Sequence, residues 1–422
     1  MKYTFTLVLA LIFGLVILGI ATLHQSVLIL ATPLVAYLFA AILWRAEHVQ
    51  LTISREVSPP FVATDTPITI KLTVTNEGSA IDEISIRDVL PAGIKQTDGT
   101  SSTTRMFDAH TSLDLDYTIA AARGDYHTYT TAVTVRDFSG LFEQSLVYET
   151  KPSFTVYPRY PKLAPIKIRP PQTRGFAGPI ASRQGGTGIG FLGVREYQIG
   201  DRQRQINWKL TARSADALFT NIFEQERVAD VGIILDARQQ ADVKTSSGTL
   251  FEHGVSAAAA LADTFLSDGN RVSLLVYGSG LIRLFPGYGR VQRERILRAI
   301  ARATPLLNYA LESLAYLPTR VFPAKSQLVI VSPLLAGDVP VLARMRAHGY
   351  AVMVVSPDPV SYSANIYSDA TSPAYRLAYA ERLVMLRQLR RSGIQLVNWA
   401  VDQPLDLAIR EEMAHYRQLG RL

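Results

Sequence analysis

The sequence predicts a chain in three structural parts: an N-terminal transmembrane helical hairpin, a β-sandwich and a doubly wound α/β domain. Three observations predict it. Tyr3 to Trp44 contains no Asp, Glu, Lys or Arg. From about Val49 to Tyr160, apolar and polar residues alternate with period two between turn residues. From Val228 onward, short continuous apolar runs alternate with stretches of helical spacing. The expected boundaries are 1–46 for the hairpin, 47–160 for the sandwich, 161–227 for a Pro/Gly-rich connector and charged segment, and 228–422 for the α/β domain.

Phe5–Leu23 and Val27–Trp44 each approach the ~20 apolar residues needed to span a hydrocarbon core. Only His24, Gln25 and Ser26 break them, and Pro33 falls where lipid tolerates a kink. A cleaved signal peptide fits poorly, because no polar mature start separates the two runs. Lys2, Arg45 and Arg55 flank the same side of the hairpin, and the turn is uncharged. The positive-inside rule then predicts a cell-membrane protein with its soluble mass in the cytoplasm.

The runs LTISREV, PITIKLTVTNEG, DEISIRDVL, LDLDYTIAA and YHTYTTAVTVRDFSG read as half-buried strands. Several such strands in about 110 residues suggest an immunoglobulin-like sandwich. Arg123-Gly124-Asp125 is an adhesion-type tripeptide, read here as an ordinary turn.

Prolines 158, 161, 165, 170 and 171 mark the connector. A Gly-rich loop is expected from Gly175 to Gly193. Gly188–Gly193 matches GxGxxG, but that fingerprint needs a preceding strand and a helix opening at the glycines. Gln184-Gly185-Gly186-Thr187 does not read as a strand, so no dinucleotide cofactor is expected.

In the α/β part, Val231–Leu235, Arg271–Val276, Gln327–Val331, Tyr350–Val355 and Ile394–Trp399 read as buried strands. Leu281–Phe285 reads as a hairpin partner of the second. Helical spacing covers Phe251–Leu266, Gln292–Ala303, Val339–His348, Ala374–Arg391 and Leu405–Gln418. Apolar strands alternating with helices predict a mostly parallel sheet, with any ligand at the strands' carboxyl ends. Asp236, Ser332, Ser356 and Asp358 fall there. Arg238 and Gln240 follow Asp236 where small hydroxyls would complete an oxygen cage for a hard cation. Arg238 would also set a positive charge beside any ion.

The composition narrows the chemistry. There is no cysteine, which excludes disulfides, thiolate metal sites and cysteine nucleophiles. The seven histidines show no HxxxH or HExxH spacing, and there is no GxSxG elbow or Walker A loop. A formal charge of +7 over 422 residues is a weakly basic surface. The sequence predicts no enzyme, no cofactor and no metal site.

Most of the unusual chemistry lies in Gly193–Glu226. Arg195, Glu196, Tyr197, Asp201, Arg204, Asn207, Trp208, Lys209, Arg213 and Glu226 are its candidate interaction or interdomain-clamp residues. Trp208 with Arg204, Lys209 and Arg213 suits base stacking and phosphate neutralisation. The acids Glu196, Asp201, Glu224 and Glu226 oppose that, so no nucleic acid is expected.

The order GVREYQIGD, RQINWKLTAR, a Leu and FEQE closely resembles the signature of the domain-of-unknown-function 58 family. The matched residues are Arg195, Glu196, Tyr197, Gly200, Asp201, Arg204, Ile206, Asn207, Trp208, Lys209, Arg213, Leu218 and Glu226. The order of hairpin, sandwich, signature and α/β domain extends the resemblance over essentially the whole chain. It implies a von Willebrand factor A-like fold for the last part. It also implies a membrane-anchored adaptor working with a MoxR-type AAA+ ATPase and other envelope-associated proteins, in assembling or activating complexes. In that fold a metal site needs Asp-x-Ser-x-Ser with a later Thr and Asp. Here only Asp236 matches, and Pro333 stands where the later Asp is sought, so the resemblance implies no metal site, with Asp236 only as a remnant of a degenerate one. A cation-dependent adhesion module, or an enzyme acting on envelope precursors or nucleic acid, are the alternatives.

Overall fold

The computed structural model describes residues 4–43, 49–137, 139–151, 153–168, 170–171, 180–214, 216–245, 248–278, 280–318, 321–367 and 372–418; side chains of 180–190, 192, 223–227, 364–367 and 417–418 are outside the description. The chain divides into two compact units, Met1–Tyr157 and Pro158–Leu422.

The first unit opens with α1 (Thr4–Thr22) and α2 (Gln25–Leu43), both long and apolar enough to cross a membrane. Their apolar side chains, among them Leu7, Phe13, Ile17, Ile20, Ile29 and Phe39, face outward. A water-soluble helix would bury such a face, so the outward set fits lipid as solvent. Pro33 lies inside α2. The turn closes at Leu23, whose φ is +52°.

Eleven described strands follow: β1 (Leu51–Ser58), β2 (Phe61–Ala63), β3 (Ile68–Asn76), β4 (Ile81–Val89), β5 (Ile94–Gly99), β6 (Ser102–Phe107), β7 (Ser112–Ala121), β8 (Gly124–Tyr126), β9 (Tyr129–Arg136), β10 (Glu143–Thr150) and β11 (Phe154–Tyr157). They pair as sheets β1-β3-β7-β5, β10-β9-β4-β6 and β2-β11-β8. Period-two sequence becomes period-two burial: Ile68, Ile70, Leu72 and Val74 point inward from β3, and Leu113, Leu115, Tyr117 and Ile119 from β7. Leu72, Val74, Leu113 and Leu115 meet Ile84, Ile86, Val133 and Val135 of the second sheet in one core, while Ile68, Ile70, Tyr117 and Ile119 pack in a second core with Val62, Tyr129, Phe154 and Val156. Each such side chain contributes about 1.5–3 kcal/mol on burial.

The same unit holds an ion pair with fully buried side chains, Arg55 with Asp88. Tyr117 Oη donates to Asp88, and Arg55 Nη2 donates to Thr131 Oγ1 at 3.0 Å. The guanidinium lies 4.5 Å from the centroid of Tyr129. Arg123-Gly124-Asp125 is absorbed locally: Asp125 accepts from Thr155 Oγ1 at 2.9 Å, and His127 Nε2 lies 2.8 Å from its other oxygen.

The second unit begins its regular structure with β12 (Ile180–Glu196) and β13 (Phe219–Arg227), an antiparallel ribbon. The expected Gly-rich loop is therefore corrected to a strand over 180–196. Glycines 185 and 186 keep the extended backbone, and the register shifts between Gly186 and Phe191 put the intervening residues in a bulge. No helix opens at Gly188–Gly193, as the dinucleotide fingerprint would require.

The ribbon leads into a six-stranded sheet of order β18-β17-β14-β19-β20-β21. Its strands are β14 (Asp230–Asp236), β17 (Arg271–Tyr277), β18 (Leu281–Gly287), β19 (Gln327–Val331), β20 (Ala351–Pro357) and β21 (Gln395–Trp399); β15 (Lys244–Thr245) and β16 (Gly248–Thr249) form a separate small hairpin. All pairings are parallel except the β17–β18 hairpin at the edge. Every residue of β14 and β19 is buried, which explains their unbroken apolar runs.

Helices cover the sheet: α4 (Leu250–Ser267), α5 (Gly289–Ala301), α6 (Asp338–Ala347), α7 (Pro359–Tyr367), α8 (Pro373–Arg391) and α9 (Leu405–Gln418). The Ala257–Ala260 run of α4 is buried, small side chains allowing close approach to the strands. Leu342 and Met345 of α6 and Leu386 and Leu389 of α8 pack in one core with Ile234, Ile330, Val354 and Leu396. After β14 the chain adds β17 on one side, then returns to place β19 on the other. The carboxyl ends of β14 and β19 thus flank a topological switch point.

Candidate functional site

Two constellations stand out in the second unit. The first is the tip of the β12–β13 ribbon, closed by α3 (Trp208–Thr211). Glu196 pairs with Phe219 and Arg195 with Thr220, so residues 197–218 form an excursion from the ribbon. Arg195 Nη2 donates to Asp201 Oδ1 at 2.6 Å, and Gln198 N donates to Asp201 Oδ2 at 3.0 Å. The Arg195 hydrogen bond first, and the Gln198 amide second, hold the Asp201 carboxyl below its ordinary range despite opposing desolvation. Gly200 makes the turn between them with φ +107°, a region other residues rarely enter.

Asn207 closes the other side. Its Oδ1 accepts from Leu210 N at 3.0 Å, capping α3, and its Nδ2 donates to Asn221 Oδ1 at 2.8 Å. Thr220 Oγ1 donates to the Gln205 carbonyl at 3.2 Å, and Thr211 Oγ1 accepts from Phe219 N at 3.0 Å. Thr211, Thr220 and Asn221 are part of this lattice and were not singled out from the sequence; ordinary Thr and Asn residues carry no signal until the ribbon register places them.

The remaining signature residues point away. Trp208 is 65% exposed and Ile199 wholly so, with Leu210 and Leu218 also exposed. Arg202, Arg204, Lys209 and Arg213 are exposed and make no ion pair among the described residues. Glu196 is exposed, and Tyr197 is half-buried with its amide donating to the Leu218 carbonyl at 2.7 Å. The Glu226 backbone pairs with Ala181 in the ribbon, while its side chain, like that of Glu224, lies outside the described residues. The structure therefore brings Arg195, Asp201 and Asn207 together as the scaffold of the tip. It leaves Arg204, Trp208, Lys209 and Arg213 on its surface.

The second constellation lies at the switch point. Asp236 ends β14, and Arg238 turns back over it: Nε donates to Oδ1 at 2.9 Å and Nη2 to Oδ2 at 2.7 Å. From the first turn of α6, Asp338 takes Nη1 at 3.0 Å and Nη2 at 2.7 Å. Nη1 also donates to the Glu312 carbonyl at 3.1 Å, so all five guanidinium N–H donors are used. Ser332 Oγ donates to Asp236 Oδ2 at 2.6 Å. Burial opposes the charge on Arg238, but the two carboxylates overcome it and raise the guanidinium's pKa.

Asp236 is not the sole carboxylate on this guanidinium. The second carboxylate is Asp338, five residues past Pro333. Beside it, Ser356 Oγ accepts from Arg382 Nη2 at 3.0 Å. Arg382 Nε lies 2.9 Å from Asp358 Oδ1, at ion-pair distance without hydrogen-bond alignment. Among the described residues, no group of three or more His, Cys, Asp or Glu side chains is placed to hold a metal ion.

These features define a protein with two candidate membrane spans, a β-rich unit, and an α/β unit bearing a charged aromatic ribbon tip. Residues 193–361 match the family described as Protein of unknown function DUF58, so the resemblance read from the signature holds over that stretch. The chain is also 28% identical over 239 residues to the uncharacterized protein YeaD of Bacillus subtilis, covering 54% of this chain and 57% of that protein's length. Among solved structures, a fragment of Escherichia coli alpha-2-macroglobulin aligns at 12% identity and TM-score 0.22, covering 27% of this chain and 17% of that one. The CARDB domain of PF1109 from Pyrococcus furiosus, solved with di-metal ions, aligns at 14% identity and TM-score 0.18, covering 25% and 94%. Structural likenesses this slight carry no assignment.

Proposed function

We propose that this protein is a membrane-anchored, non-enzymatic adaptor whose ribbon tip docks a MoxR-type AAA+ ATPase during assembly or activation of envelope-associated complexes. The carrying observation is the division of labour within the signature. Arg195, Asp201 and Asn207 fix the tip, and Trp208 stands exposed among four cations without ion pairs among the described residues. Exposed Trp and Arg on a rigid support are the residue types that dominate protein interfaces. A tip needed only as an internal clamp would turn these groups inward.

The remaining parts serve that role. The apolar hairpin serves as the anchor, and its flanking cations support a cytoplasmic position for the soluble units. The paired sheets of the first unit fit an immunoglobulin-like spacer. The parallel sheet of the second fits a von Willebrand factor A-like fold. Its strand-end carboxylates are engaged by arginine, which supports a binding protein rather than an enzyme. No cofactor and no nucleic acid belong to this reading.

Charge reversal at Arg204 tests it. Full-length Arg204→Glu, purified from membranes where an AAA+ ATPase is co-expressed, is expected to keep its melting temperature and lose the co-purifying ATPase. Retained association, or unfolding of the variant, refutes the docking role of the tip.

A further inference from the structure

We propose that Arg238 is the resident cation of the strand-end site, holding the place between Asp236 and Asp338 that a divalent ion would otherwise take, so that this site works independently of metal. The von Willebrand factor A-like fold proposed above, on which this inference rests, implies an ion at this place, and with Arg238 seated between the acids the residues present do not fit one. A single atom, Arg238 Nη2, lies 2.7 Å from Asp236 Oδ2 and 2.7 Å from Asp338 Oδ2. Hard divalent cations sit about 2.0–2.6 Å from carboxylate oxygens. The two acids therefore already converge on one point, within a few tenths of an ångström of a metal's reach. A third oxygen, Ser332 Oγ, is 2.6 Å from Asp236 Oδ2.

The guanidinium does what an ion would do there. It compensates two buried carboxylates, Asp236 at the end of β14 and Asp338 at the start of α6. It also reaches the Glu312 carbonyl, and the Arg238 backbone bridges Leu306, so it ties down the segment before β19. That segment carries the exposed Leu306, Leu307, Tyr309 and Tyr316. A metal ion is exchangeable and can be chelated, whereas a covalently attached guanidinium is permanent. The surface at the strand ends is therefore held in one arrangement whatever the metal supply.

The experiment uses the full-length protein in detergent, with Mn²⁺ as probe, followed by thermal melting and by the electron paramagnetic resonance signal of free Mn²⁺. Wild type is expected to bind no Mn²⁺ at this site and to melt identically with Mn²⁺ or chelator. Arg238→Ser removes the cation and opens space beside the acids. It is expected to melt lower than wild type and to regain stability with millimolar Mn²⁺, with one ion bound. In the neutral variant Arg238→Met with Asp236→Asn and Asp338→Asn, the Mn²⁺ response is expected to vanish. Mn²⁺ binding by wild type that Asp236→Asn abolishes would overturn the proposal. So would an Arg238→Ser protein, folded or not, that Mn²⁺ fails to stabilise, or a response that survives in the neutral variant.

Discussion

Arg238 and Asp338 are one hundred residues apart in sequence, yet two nitrogens of one meet two oxygens of the other at 3.0 and 2.7 Å. The contact joins the turn after β14 to the start of α6, with both side chains buried. Asp338→Ala leaves the guanidinium facing a single carboxylate in a dry environment. Breaking a buried pair from one side costs about 3–5 kcal/mol. Urea unfolding monitored through the buried Trp399 is expected to show a loss near the lower end, since Asp236 remains.

The turn that carries Arg238 has a second requirement. Gly278, just past β17, has φ +134°, and a Cβ there would lie 2.3 Å from the Arg238 amide nitrogen and 2.4 Å from the Ala237 carbonyl carbon. These are backbone atoms and cannot swing aside. Gly278→Ala combines that clash with an unfavourable φ, so a loss of about 3 kcal/mol or more is expected by denaturant titration.

In the first unit, Arg55 and Asp88 form a charge pair with no exposed side-chain surface. Removing one partner strands the other. Asp88→Leu alone is therefore expected to cost about 3–5 kcal/mol, and the double variant Arg55→Met with Asp88→Leu considerably less. A double-mutant cycle in urea measures the coupling. Equal losses in single and double variants would show that packing around Tyr117 and Tyr129 dominates instead.

His253 gives a pH signature. It is half-buried on α4, edge-on to Tyr362 at 5.6 Å and to Trp399 at 6.1 Å. Burial, outweighing nearby Glu252, holds its imidazole pKa below the ordinary 6.5. The unfolded chain therefore takes up a proton at a higher pH than the folded one. Stability from this group is complete above pH 6.5, falls as the pH drops through 6.5 toward the folded value, and is level below it. Melting temperature from pH 7.5 to 5 is expected to fall less steeply in His253→Gln than in wild type.

Much of the fold was legible because periodicity reports burial directly. Ile68–Asn76 alternates in sequence and in exposure, and the apolar runs of β14 and β19 are buried throughout. Leu281–Phe285, expected as the hairpin partner of β17, falls within β18, which pairs antiparallel with it. Strands with little to bury were harder to read: in β5 only Ile94 is buried. Gly-rich β12 carried no β-forming pattern, because its extended backbone is set by pairing with β13 rather than by its own side chains. At the site, clustering of charge and aromatics exposed the signature, since those residues are neighbours in sequence. Asp338 was missed because its partnership with Arg238 exists only once the sheet is wound.

Site-specific photo-cross-linking shows directly whether the ribbon tip is a docking surface. A benzophenone amino acid replaces Trp208 in the full-length protein, which is irradiated in membranes containing a MoxR-type AAA+ ATPase. The predicted result is one cross-linked product containing that ATPase, lost when Arg204 and Lys209 are changed to Glu without a change in melting temperature. No cross-link to the ATPase from position 208, with the protein folded and both partners present, would mean that the tip does not dock it.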